Sequence, residues 1–154
     1  MTSRDKTKLV MIYTDGGAVP NPGVGGWAAV LLYGNHRKEI SGAVRHTTNN
    51  RMEMTAAIQG LKSLKGPCRV ILFTDSEYLK KGITQWLPVW KRKNWKRKGG
   101  ALKNVDLWKE IDMISQEHEI EWRWLRGHAG FRENERCDQL VSHAIKAFKR
   151  KRRK

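Results

Sequence analysis

Long apolar runs are missing from this chain. None approaches the roughly 20 residues needed to cross a bilayer, and the opening Met1–Lys6 stretch has no apolar h-region with a cleavage site. Neither membrane insertion nor secretion is expected, and a cytoplasmic, monomeric protein is. Cysteine is scarce: Cys68 and Cys137 lie far apart, match no metal-ligand spacing and read as buried thiols. No Gly/Ser-rich or Pro-rich linker and no internal repeat divides the 154 residues. One compact domain over 1–148 is therefore expected, followed by a basic, disordered tail over 149–154. The glycine-rich 16–26 stretch is not followed by Gly-Lys-Ser/Thr, which excludes a nucleotide-binding P-loop.

Acids are scarce too, 15 against 31 Lys and Arg, giving a formal net charge of +16. The excess is localised. Residues 91–103 contain seven basic side chains, residues 146–154 contain seven more, and neither segment holds an acid. Those fourteen cations account for all but two of the +16. Two concentrated patches on a nearly neutral remainder are the footprint of polyphosphate binding.

Apolar periodicity gives the elements. Residues 8–14 read as a buried strand, followed by Asp15 and a glycine-rich turn through Gly26. Residues 27–33 and 37–45 read as two more strands in an antiparallel meander. Asn49 or Asn50 can cap a helix running to about Lys65, with Met54, Ala57, Ile58, Leu61 and Leu64 at helical spacing. A strand over 69–74 ends at Asp75. Ser76 caps a helix to about Gln85, and 86–93 forms a second short one. A helix over 105–117, a strand over 120–125 and a helix from Glu133 to about Lys149 complete the pattern. A strand, helix, strand succession favours a right-handed crossover, which sets the 69–74 strand beside the 8–14 strand.

Against this basic background four carboxylates stand out. Asp15 and Asp75 end buried strands, while Glu53 and Asp138 share helix faces with apolar residues. Any one of them alone would read as a cap or a surface ion-pair partner. Together they predict one acidic cluster. Two like charges about 4 Å apart cost roughly 4 kcal/mol at an effective dielectric near 20, so such a cluster needs cations. Oxygen-only ligands suit Mg²⁺, with Mn²⁺ as a substitute. Two such ions can activate water and stabilise a phosphodiester leaving oxygen.

These residues sit in recognisable strings. Tyr13-Thr14-Asp15-Gly16-Gly17, Asn21-Pro22-Gly23 and Gly25-Gly26-Trp27 resemble the opening motif of ribonuclease H type I. So do Thr47-Thr48-Asn49-Asn50-Arg51-Met52-Glu53, Thr74-Asp75-Ser76, Val105-Asp106-Leu107-Trp108, and Gly127-His128-Ala129-Gly130 with Asn134-Glu135-Arg136-Cys137-Asp138. The resemblance spans about Lys8 to Ile145, in the family's order and spacing. It implies an α/β fold, a ribonuclease H-like five-stranded mixed sheet of order 3-2-1-4-5 with helices on both faces. It also implies hydrolysis of the RNA strand of RNA–DNA hybrids, leaving 5′-phosphate and 3′-hydroxyl ends. Asp15, Glu53, Asp75 and Asp138 become ligands of two Mg²⁺ ions by the same resemblance, and His128 a proton carrier in water activation or product departure.

Substrate contacts are expected at Gly16, where backbone can approach closely, and at Asn21, Thr48, Asn49 and Asn50, whose amides and hydroxyls suit 2′-hydroxyls and phosphates. Turn formation and helix capping explain Asn21 and Asn49 equally well on residue type alone. Trp86, Trp90 and Trp95, interleaved with Lys91, Arg92, Lys93 and Lys96, match the family's basic protrusion, which grips the DNA strand. Two rivals share parts of the pattern: a DNA-transposing or junction-resolving nuclease, and a non-catalytic hybrid-binding module.

Overall fold

A computed structural model describes residues 8–95, 103–126 and 132–152. Strands β1 (Leu9–Ala18), β2 (Gly23–Tyr33) and β3 (His36–Thr47) form the meander. Helix α1 (Asn49–Lys62) then crosses to β4 (Arg69–Thr74). Helices α2 (Glu77–Lys81) and α3 (Leu87–Arg92) are joined by a π-helical turn over Gly82–Trp86. Helix α4 (Val105–Ser115), strand β5 (Glu119–Trp124) and helix α5 (Arg132–Arg152) follow. The sheet order is β3-β2-β1-β4-β5, antiparallel across the first three strands and parallel from β1 through β4 to β5.

Both sheet faces are covered, as period-2 alternation requires of central strands. Val10, Ile12, Val70 and Leu72 face a core made with Met54, Ile58 and Leu61 of α1 and Trp108 and Ile111 of α4. On the opposite face, Ala28 and Val30 pack against Cys137, Val141 and Ile145 of α5. Edge strand β5 alternates exposed Glu119, Glu121 and Arg123 with half-buried residues, a charged edge that discourages further strand pairing.

Several expected boundaries move, each for a physical reason. Asp15 does not end its strand: β1 pairs onward through Gly16, Gly17 and Ala18 with Trp27, Gly26 and Gly25. The glycines belong to a ladder, and the connecting turn is only residues 19–22. Small residues are needed there because helices press on the backbone. A Cβ at Gly16 would stand 2.5 Å from the Met52 carbonyl oxygen and 2.7 Å from the Glu53 nitrogen. One at Gly26 would meet the Val141 oxygen of α5 at 3.0 Å.

The cap of α1 is Thr48, whose Oγ1 accepts from the Arg51 N–H at 3.2 Å, and neither Asn49 nor Asn50 serves. The helix ends at Lys62, short of Lys65. The two short helices expected after Ser76 form one path, because the π turn before Pro88 accommodates a residue that cannot donate a backbone hydrogen bond. The last helix runs to Arg152, so residues 149–152 extend α5 and are not a disordered tail.

Candidate active site

The carboxyl ends of β1 and β4 are adjacent because the two strands pair in parallel, and the acidic residues gather there. Asp15 projects from β1 on the face that carries Tyr13, whose ring stacks on Phe73 of β4 at 4.3 Å between centroids. Asp75 follows β4 directly. Its backbone is held from both sides: Trp124 Nε1–H donates to the Asp75 carbonyl at 3.2 Å, and the Leu125 N–H donates to the Thr74 carbonyl at 2.7 Å. Glu53 arrives from the second turn of α1, close to the backbone of β1 because Gly16 lacks a side chain.

Carboxylate oxygens of Asp15, Glu53 and Asp75 lie within 4.8 Å of one another. Asp138, on α5, lines the same cleft of about 540 Å³. The expected convergence of four is thus a tight three, with the fourth lining the same cleft outside that 4.8 Å set. Its position is set by the neighbouring Cys137, buried on β2 and donating its S–H to the Tyr13 carbonyl at 3.2 Å. Burial pushes that thiol well above its ordinary range, so it is a packing group.

The electrostatics match the crowding. Burial raises Asp15 to about 6, aided by the Asp75 charge and, less, by Asp138, while hydrogen bonds from Glu53 and the Gly16 backbone oppose the rise. Glu53 is raised well above the usual carboxylate range, first by burial and then by Asp15 and Asp75. Its Oε1 is buried with no hydrogen-bond partner among the described residues. A buried acceptor left unpaired costs about 1–3 kcal/mol, so this atom calls for a ligand. A cluster of oxygen donors, two of them with their charge opposed by burial and mutual repulsion, fits a hard divalent cation.

Other expected residues are distributed around this centre. Asn49 and Asn50 line the cleft. Asn49 is also structural: its Oδ1 accepts from the Ala18 N–H at 2.8 Å and its N–H donates to Asn21 Oδ1 at 3.1 Å. With those oxygens engaged, Asn49 and Asn21 have their amide N–H groups to offer a ligand. Thr48 Oγ1 is engaged as the helix cap.

Trp86 and Trp90 are half-buried. They build an aromatic cluster with Tyr78 and Trp108, with centroids 5.4–5.9 Å apart, on the core under α3. Trp95 also packs against that core. Their apolar area decides this, since core lies within reach on the helix side facing α4. Among the cations of this segment, Arg92 and Lys93 are exposed, and Lys91 is exposed and paired with Asp112 at 2.9 Å. His128 and Lys96 lie outside the described residues.

Ser76, Tyr78 and Ser142 also line the cleft and were not singled out from sequence. Ser142 was findable, four residues after Asp138 and hence on the same helix face. Arg51 was missed too. It holds Asp106 of α4 through two hydrogen bonds of 3.0 and 2.8 Å, tying α1 to α4 behind the site.

An α/β sheet with an acidic cleft at the carboxyl ends of its central strands defines a hydrolase architecture built to hold cations beside a polyanion. The RNase H family model matches residues 7–146. The chain is 54% identical to a ribonuclease H of Thiobacillus denitrificans, over 89% of this chain and 93% of that one. It is 50% identical to the ribonuclease H of Dichelobacter nodosus, over 93% and 96%. Among solved structures, it resembles LC9-RNase H1, a type 1 RNase H with the type 2 active-site motif. That match has a TM-score of 0.81 and 32% identity, covering 91% of this chain and 73% of that one. It also resembles LC11-RNase H1, solved in complex with an RNA/DNA hybrid, with a TM-score of 0.65 and 25% identity over 90% and 97%. The chain belongs to the RNase H family, whose members degrade RNA in RNA–DNA hybrids, and it is a ribonuclease H enzyme.

Proposed function

We propose that this protein, as a cytoplasmic monomer, hydrolyses the RNA strand of RNA–DNA hybrids endonucleolytically with two Mg²⁺ ions, leaving 5′-phosphate and 3′-hydroxyl ends. The observation carrying the reading is the set of three carboxylates within 4.8 Å, one with a buried unpartnered oxygen. Bound Mg²⁺, or Mn²⁺ in its place, supplies a water of lowered pKa and charge neutralisation at the leaving oxygen.

Asp15, Glu53 and Asp75 hold that charge at the strand ends, and Asp138 completes the ligand set from α5. His128, a residue type able to carry protons at cellular pH, moves a proton to or from the reacting oxygens. Asn49 and Asn50 offer amide donors beside the carboxylates, where the RNA 2′-hydroxyl and phosphate must lie to be cut. Gly16 leaves the backbone open to the sugar edge. Lys91, Arg92, Lys93 and Lys96 grip phosphates of the DNA strand, with Trp86, Trp90 and Trp95 as the packed base beneath them. The LC11-RNase H1 complex supports the choice of hybrid as ligand.

A labelled RNA–DNA duplex incubated with and without Mg²⁺, beside single-stranded RNA and double-stranded DNA, tests the reading. Cutting confined to the hybrid RNA, dependent on Mg²⁺ and yielding 5′-phosphate fragments, is expected. Cutting of the all-DNA duplex, or binding without any cutting, would replace it with one of the two rivals.

A further inference from the structure

Val19, in the turn between β1 and β2, separates two hollows. One is the acidic cleft. The other, of about 520 Å³, has Arg45, His46 and Lys149 in its walls and no acid. Lys149 is fixed there, its Nζ donating to the Val19 carbonyl at 2.9 Å.

The two hollows lie along one face of α5. Asp138, Ser142 and Ile145 line the cleft, and Lys149 continues their spacing at i+4 from Ile145. Eleven residues separate Asp138 from Lys149, about 16 Å of helix at 1.5 Å per residue. Exposed Lys146, Arg150 and Lys151 flank it.

Acids are absent from this region at the level of the chain. None occurs between Asp15 and Glu39, between Glu39 and Glu53, or after Asp138. Elsewhere on β3 and α5, Arg37 and Arg136 are paired. Arg136 grips both oxygens of Glu39 at 2.8 and 3.0 Å, and Arg37 bridges Glu39 and Glu133 at 2.9 and 2.5 Å. A face kept charged only for solubility would mix signs in that way, and this one does not.

We propose that Arg45, His46 and Lys149, with the flanking cations of α5, form a second phosphodiester-binding surface. It receives the backbone of the bound duplex after it leaves the cleft along the α5 wall. The basic segment of α3 follows the opposite wall, where residues 76–78 lead into α2. At an axial rise of about 3.4 Å per step, the new surface meets the duplex about five base pairs from the reacting position. The inference rests on the nucleic-acid reading above and adds a contact to it.

Salt-dependent binding of a labelled hybrid, by fluorescence anisotropy in EDTA, separates the possibilities. Three proteins are compared: wild type, Arg45→Gln/Lys149→Gln, and Lys8→Gln/Lys65→Gln, which removes equal charge at the far end of the sheet. Each lost phosphate contact lowers the log K against log salt slope by about 0.9 on B-DNA. The Arg45/Lys149 pair should therefore lower it by about 2, raise KM about tenfold in Mg²⁺, and leave kcat within about twofold. The far pair should leave the slope within about 0.5 of wild type.

An unchanged slope in Arg45→Gln/Lys149→Gln overturns the proposal, as does an equal fall in both double variants. Lys146→Gln/Arg150→Gln, which leaves the Val19 contact intact, must show the same direction, and failure there also counts against it. Wild type that neither binds nor cuts the hybrid would refute the underlying reading instead.

Discussion

Asp15 is one of two site carboxylates whose charge is opposed by burial and by neighbouring acids, and its behaviour gives a direct test of the cluster. Its carboxyl is raised from 3.8 to about 6 by burial and the Asp75 charge. The folded protein therefore holds a proton there that the unfolded chain has released. By linkage, this contribution to stability is present below about pH 4 and lost as pH rises through about 6. At about 1.36 kcal/mol per pKa unit, the loss is up to about 3 kcal/mol in metal-free protein, and Glu53 adds to it in the same direction. Asp15→Asn should flatten that dependence in EDTA and raise Tm above wild type at pH 8. In Mg²⁺ the same variant should lose at least about 10³-fold in kcat while binding hybrid within a few-fold of wild type. A thermal melt series from pH 4 to 8 and a turnover assay read both, and retained turnover would remove Asp15 from the catalytic set.

Among the elements, the approach of α1 to β1 decides where Glu53 sits. Gly16 permits it, since a methyl there would lie 2.5 Å from the Met52 oxygen. Gly16→Ala should force the helix start away, cost about 1–3 kcal/mol as other overpacking does, and lower kcat about 10²-fold through misplacement of Glu53. Gly66→Ala, where an added Cβ meets nothing within 4 Å, should keep kcat within about twofold. Equal effects of the two substitutions on kcat would show that close packing of α1 on β1 does not position the site.

Expectation and structure part most clearly at this scale. The glycine-rich stretch reads as a loop because glycine is rare inside strands. It pairs as sheet because α1 and α5 pack where side chains would otherwise stand. Trp86 and Trp90 read as part of the protrusion that grips the DNA strand, and in the fold they cluster with Tyr78 and Trp108, residues that come close only once α4 has folded against α3. The α1 start reads as asparagine-capped, but Thr48 reaches the Arg51 N–H, and Asn49 is drawn off to Ala18.

For the whole molecule, charge is segregated: a buried anionic cluster within a protein of net charge +16. Metal-free, the cluster opposes folding at neutral pH. Cation binding to the folded state alone adds RT ln(1 + [L]/Kd), about 2.7 kcal/mol at a hundred times Kd. Mg²⁺ should therefore raise Tm by about 5–10 °C for a domain of this size. The effect should be largest above pH 6, where protons no longer compete, and absent in Asp15→Asn. Calorimetry with EDTA or excess Mg²⁺ measures it, and a wild-type Tm indifferent to Mg²⁺ at pH 8 would show that the carboxylates hold no ion.

By itself the chain determined the alternation of strands and helices, the order of the sheet, the two acid-free basic segments and the identity of the four acids. All of these are carried by local period, local composition or short strings, which need no knowledge of distant neighbours. Only the tertiary structure decided that three of the acids crowd within 4.8 Å while Asp138 lines the same cleft outside that set. It alone showed that Lys149 ends beside Arg45 and Val19. Those facts depend on how closely helices approach the sheet, and that distance is set by residues far apart in the chain, such as Gly16 against Met52 and Gly26 against Val141.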